Sequence, residues 1–391
     1  MFYPSLFALI LLLNWLYLIE SKSLIINYQQ TNDGLSINLD IGNPPRRRAI
    51  FLTFRHHYLW FNISSVNLQS QTFKSLGYRG LITLNQFFKE EEANSFSDQI
   101  SMNEESIIID NFQMYYVNIK SEDFVNGLGL GCLITNPSFS LLYLLKEKQF
   151  TDNMSFGFSP IKFGKGEMFF GKIPNSYKMQ YPYHVNWNVK NDWECYVSHI
   201  MIGKSIYKYN YKKGGKIHTD FNGIIAPNSF MEFLLENVFK EKVQQGGCRK
   251  NFWKTKKSIV CTCSEVNSFP DIVIFIHGKG ITFTKDVLFN AFIDDCDLIF
   301  EGIDEMNEEF VFGTSFLSSF ISWFDYDNKT ISLYSNVEII DLKETNNNNI
   351  LFCLFFIIIQ CIIITGILGW MKIKVYKQNI LSIEINGFNI S

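Results

Sequence analysis

The sequence predicts a mainly β, two-lobed ectodomain followed by one C-terminal transmembrane helix. Three observations carry that expectation. Strand formers dominate, with 38 Phe and 18 Tyr against 19% charged residues, in short runs separated by Gly, Asn and Asp. A weak internal repeat answers AIFLTFRHHYLW (from Ala49) and GLGLG (from Gly127) with KIHTDFNGIIAP (from Lys216) and FVFGTSFL (from Phe310). Each half thus supplies an apolar strand, a polar turn and a later apolar strand ending at Gly, which implies two lobes about a pseudo-twofold axis with a cleft between them. Finally, ILFCLFFIIIQCIIITGILGW, residues 350–370, is uncharged and long enough to cross a bilayer core.

The ends define the layout. Residues 1–21 turn from apolar to polar, as a secretory signal peptide does, although no positive charge opens them. A core helix is the other reading of 350–370, but no amphipathic period is visible there. Lys372, Lys374 and Lys377 follow the run directly, so the positive-inside rule places the tail, 371–391, in the cytoplasm. The expected order is then signal peptide, N-terminal lobe 22–185, C-terminal lobe 186–340, juxtamembrane linker 341–349, span and tail. That order implies a single-pass type I protein of the secretory pathway or cell surface. Its net charge of -3 says nothing about partners, and no basic stripe points to nucleic acid, so no nucleic-acid partner is expected.

Lumenal placement makes six cysteines disulfide candidates: Cys132, Cys195, Cys248, Cys261, Cys263 and Cys296. Cys353 and Cys361 fall in the span. Cys261-x-Cys263 is too tight for a zinc clip, so neither structural metal nor cofactor is expected. Sequons at Asn62, Asn153 and Asn328 are candidate glycan sites, whereas that at Asn389 lies on the cytoplasmic side.

Along the chain, LSINLDIG (Leu35–Gly42) reads as a strand ending at a Pro44-Pro45 turn. Arg46-Arg47-Arg48 continues as a solvated turn or, alternatively, a site for an anionic partner. Ala49–Leu52 is apolar strand, then a polar turn, then Leu59-Trp60. FFKEEEANSFSDQIS, from Phe87, has three successive acids and no glycine and reads as a solvated charged loop. Ser140–Gln149 and Ser229–Lys242 are the two best helices, the second capped by Asn228 or Ser229.

The run of strand, Gly-x-Pro-Pro, strand, turn and Leu-Trp resembles the first active-site loop of the pepsin-like aspartic peptidases. FVNGLGLG from Phe124, MSFGFSPIKFGKGEMFFGKIP from Met154, VCTCSEVNSFPDIVIFIHGKGITFTKDVLF from Val260 and FVFGTSFLSSFISWFDYDNKTISLYS from Phe310 resemble later family segments in the same order. The resemblance implies two β-barrel lobes, and the membrane layout is similar to that of the beta-secretases. It also implies a disulfide from Cys263 to Cys296; Cys248 with Cys261 and Cys132 with Cys195 are then left by elimination.

Family members carry an Asp-Thr-Gly triplet in each lobe, and the two carboxylates share one proton across a bridging water. Here the first triplet falls eleven residues after Gly42 and seven before Trp60, on Thr53-Phe54-Arg55. The second falls nine residues before Pro227, on His218-Thr219-Asp220. Both acids are therefore replaced. The resemblance implies that Thr219 still ties the two loops together while Phe54 replaces its mate, and that Arg55 and Asp220 fill space kept open by glycine. Glu91 stands roughly where the family's flap tyrosine belongs. About a dozen residues separate the signal peptide from the first strand, too few for the family's usual basic prosegment.

The expected function is thus a catalytically inactive, membrane-held peptidase homologue binding an extended peptide or a lumenal or extracellular protein. The competing expectation is an active aspartic endopeptidase using Asp220 or a His218-Thr53 pair. A third is a surface coat protein that leaves the cleft unused. His56, His57 and His218 are expected around the vacated site, but adjacent His56 and His57 point apart in an extended segment and argue against a metal.

Overall fold

A computed structural model of the chain describes residues 23–31, 34–54, 56–83, 90–102, 106–118, 126–161, 165–190, 192–209, 214–253, 256–303 and 309–341. The expected signal peptide, Arg55, the apolar run 350–370 and the expected cytoplasmic tail lie outside the described residues. The described residues up to Ile340 form one compact unit. Among the described residues, no helix is long and apolar enough to cross a membrane.

Period-two burial builds the centre. In Ser23–Thr31 the side chains of Leu24, Ile26 and Tyr28 are buried while their neighbours face outward. This strand pairs with Lys165–Gly171, which pairs with Ser155–Phe158; then come Ile321–Asp325, Thr330–Ser335 and Tyr183–Asn188. Both halves of the sequence therefore contribute to one sheet. On its other side Ser23–Thr31 leads, through Gly34–Ile41 and Arg46–Thr53, into the N-terminal lobe. Two further sheets make the C-terminal lobe. The lobe boundary expected at 185/186 falls inside the strand Tyr183–Asn188 of the shared sheet.

The sequence repeat is realised as a repeated strand pattern. Gly127–Gly129 runs parallel to Arg46–Thr53 and antiparallel to Leu59–Asn62, filling the gap between them. Val311–Phe312 does the same between Gly215–Ile217 and Ile224–Ala226. In GLGLG the alternation decides which residue goes where. Leu128 and Leu130 are fully buried, whereas a Cβ on Gly127 would meet the Trp60 ring and one on Gly129 the His56 backbone. Only glycine lets the inserted strand lie that close.

Several local expectations are corrected. Arg46–Arg48 begins a strand, with Arg47 paired to Asp40 and Arg48 Nε donating to the Ser65 carbonyl, so it is not a turn. The stretch expected as a charged loop is mostly the strand Glu90–Met102, paired with Lys74–Thr83 and with Ile107–Val117. Its inward residues Ala93, Phe96 and Asp98 are fully buried, and that burial outweighs the three acids at its start.

Ser140 caps the helix Leu141–Glu147 as expected in place, though the helix is shorter. The second helix breaks into Asn228–Asn237 and Lys240–Gln244, and Pro227 rather than Asn228 or Ser229 precedes it. Phe239 sits at the break, fully buried and stacked on Phe269 at 5.0 Å. Seating that ring takes precedence over a continuous helix.

Cys248–Cys261 and Cys263–Cys296 are bonded. Cys261 lies directly across from both Cys248 and Cys296 in neighbouring strands, which brings these cysteines together. The expected Cys132–Cys195 bond is absent: both are free, buried thiols. Lys329 Nζ donates to the Cys132 carbonyl at 2.6 Å, while Cys195 pairs with Gly215 in the C-terminal lobe. Burial pushes both thiols above their ordinary pKa.

Asn62 is also buried, its side-chain oxygen accepting from the Ser64 amide. Asn153 is half-buried, with a buried amide oxygen. Asn328 is exposed, and its amide donates to Asp325 at 2.8 Å.

Candidate functional site

The two loops singled out by spacing follow equivalent strands. Thr53 is the last residue of Arg46–Thr53, and its carbonyl accepts from Leu130 N at 2.6 Å. His218 follows Gly215–Ile217, and its amide donates to the Phe312 carbonyl at 3.0 Å. Each inserted strand therefore clamps the triplet beside it.

The loops meet at one hydrogen bond. Thr219 is fully buried, and its Oγ1 donates to the Leu52 carbonyl at 2.6 Å. That bond joins the residue next to His218 to the residue next to Thr53. A Cβ on Gly34 would meet the Thr219 carbonyl, so the start of Gly34–Ile41 also lies against this loop.

Phe54 makes no matching bond. Its ring is 1% exposed and lies 4.9 Å from Phe324, 5.6 Å from Phe156 and 6.2 Å from Phe158, all residues of the shared sheet. Where a short polar side chain could reach across, a ring has turned down into the core between the lobes.

Ala49–Phe61 contains no Asp or Glu, and Lys216–Pro227 contains only Asp220. The loops cannot by themselves supply two facing carboxylates. Thr53 is buried, and His218 and Asp220 are half-buried.

A polar network around the second loop is not legible in the sequence. Gln30 Nε2 donates to Thr314 Oγ1 at 3.2 Å, and Thr314 Oγ1 in turn donates to Asn222 Oδ1 at 3.1 Å. Ser315 Oγ bonds the Asn222 carbonyl. Gln30 belongs to the first half of the chain, so this network ties the second loop to the shared sheet. The Asn222-Gly223 turn and the polar pair after Gly313 were the available signals.

The histidines do not converge. His57 is buried and its Nε2 faces Thr135 Oγ1 at 3.2 Å and the Asn136 amide. His56 stacks on Tyr58 at 5.0 Å. No group of His, Cys, Asp and Glu able to hold a metal occurs among the described residues. Trp60 packs with Ala93 and Val117, flanked by Tyr58 and Tyr115. Glu91 lies opposite Ile82 in the hairpin register.

Burial lowers the pKa of His57. A lowered folded value means that the unfolded chain binds the proton more readily, so stability is full above the unfolded value of about 6.5 and falls as pH drops through that value toward the folded one. The expected result is a melting temperature that declines from pH 7 to pH 5, with a shallower decline in His57→Gln. Parallel pH profiles for the two proteins would remove His57 as the cause.

Comparison with known proteins agrees with this geometry. The crystal structure of aspartic proteinase from Irpex lacteus superposes with a TM-score of 0.62 at 14% identity, covering 80% of this chain and 97% of that one. The crystal structure of Basic 7S globulin from soybean superposes with a TM-score of 0.66 at 14% identity, covering 80% of this chain and 96% of its own. No curated protein sequence matches the chain. The family model for eukaryotic aspartyl protease matches residues 75–335, well over half the sequence, and the chain belongs to that family.

Proposed function

We propose that this chain is a membrane-anchored aspartic-peptidase homologue that has lost its chemistry and binds an extended peptide or a lumenal protein in the cleft. The observation that supports it is the pair Thr53 and His218 at the ends of the two equivalent strands, with no acid anywhere in the first loop. A threonine hydroxyl is no general base near neutral pH, and one carboxylate cannot share a proton with a partner it lacks. The loops are nonetheless held together by Thr219, so a cleft is retained without its water-activating pair. Two disulfides suit a secreted or lumenal ectodomain, and the uncharged run 350–370 supports a membrane anchor. That the same fold carries both a protein named a proteinase and one named a globulin supports a use other than cleavage.

The alternative is an endopeptidase working through Asp220, which is half-buried in the second loop. Incubating the purified chain with a peptide library between pH 3 and pH 7, with and without pepstatin, separates the two. The expected result is no pepstatin-sensitive product. Cleavage that pepstatin blocks and Asp220→Ala abolishes would overturn the proposal.

A further inference from the structure

A cavity of about 320 Å³ opens on the outward face of the shared sheet, lined by Asn27, Lys165, Glu167, Tyr177, Gln180 and Tyr181 among others. Lys165 and Glu167 stand two apart on one strand, so both side chains leave the same face, roughly 7 Å apart. Gly166 between them turns inward against the Tyr28 ring. Asn27 is the cross-strand neighbour of Glu167.

The helix Asn175–Gln180 supplies the wall. Tyr177 and Tyr181 pack against Phe169, Ile173 and Ile321, which braces both rings, and the Tyr177 hydroxyl donates to the Glu167 carboxylate. One cation and one anion on a common floor, beside two π faces, complement a zwitterion. Its ammonium group fits near Glu167 and the tyrosines, and its anionic group fits toward Lys165.

We propose that this pocket binds the phosphoamine headgroup of a membrane lipid, of phosphocholine or phosphoethanolamine type. The place of the pocket supplies the source. Its helix leads into Tyr183–Asn188, whose Tyr183 pairs with Ser335, close to the end of the described chain. Met179 and Tyr183 on this stretch are 80% and 40% exposed. Fourteen residues, 336–349, then lie in the sequence between Ser335 and the apolar run. An exposed methionine and tyrosine beside a charged pocket suit a lipid interface. The lipid source rests on the membrane-anchored reading above; the pocket's zwitterion chemistry does not.

The test uses the full chain in maltoside micelles, titrated calorimetrically with phosphocholine, phosphoethanolamine and inorganic phosphate. One saturable site for the phosphoamines is expected, with inorganic phosphate about tenfold weaker, the effect of losing one charged contact. Lys165→Gln and Glu167→Gln should each weaken binding by about tenfold at unchanged melting temperature, because both side chains are exposed. No saturable heat, or affinity indifferent to both substitutions, overturns the pocket. In nanodiscs containing a headgroup-photoactivatable phosphocholine lipid, cross-links within residues 177–183 are expected; cross-links confined to 350–370 overturn the lipid source. A chain that washes off vesicles in alkaline carbonate yet still binds phosphocholine refutes the membrane anchor alone and supports the zwitterion site.

Discussion

Phe54→Thr, which installs the threonine that the resemblance implies for this position, is expected to destabilise the protein by about 3–5 kcal/mol. The Phe54 ring is 1% exposed and closes an aromatic cluster with Phe156, Phe158 and Phe324. Phe156 and Phe324 are themselves stacked at 4.9 Å. A threonine there leaves a cavity at the junction of the lobes and places a hydroxyl in it, and both effects act in the same direction. The measurement is the denaturant midpoint of the full chain with and without the substitution. An unchanged midpoint would mean that the cluster closes without that ring.

Thr219→Val carries the second large effect. Valine matches threonine in shape, so packing is kept and the lost hydrogen bond to the Leu52 carbonyl is isolated. Removing it from a fully buried site costs about 1–3 kcal/mol, because a buried acceptor is left without that donor. The loss also frees the two loop tips, so affinity for any peptide selected against the wild-type cleft should fall with it. Full stability together with full peptide affinity in Thr219→Val would show that the loops are held by other contacts. Because Phe54 and Thr219 act on the same junction, the double substitution should depart from additivity.

Much of the architecture was legible as period and order. Alternating burial in Ser23–Thr31 and alternating Gly and Leu in GLGLG both translate one-dimensional pattern into which face a side chain takes. Spacing from Gly42, Trp60 and Pro227 was enough to place Thr53 and His218 at the ends of equivalent strands. The failures share a cause. The flap acids suggested a loop because local charge is visible in sequence, whereas the pairing of Glu90–Met102 with strands on both sides is not. The break at Phe239 likewise depends on Phe269, thirty residues further on.

Cysteine pairing shows the same division. Three of the four bonded cysteines occupy facing positions on adjacent strands, while Cys132 and Cys195 are held by different neighbours. Counting and elimination cannot tell these cases apart, since bonding needs two side chains aimed at each other.

By itself, the order of residues determined that the first loop has no acid and that two strand-turn patterns recur, because both are properties of type and spacing. Folding decided that Phe54 turns into the core while Thr219 reaches across to Leu52. The direction a side chain takes is set by partners more than a hundred residues away, and those partners exist only once the shared sheet has formed.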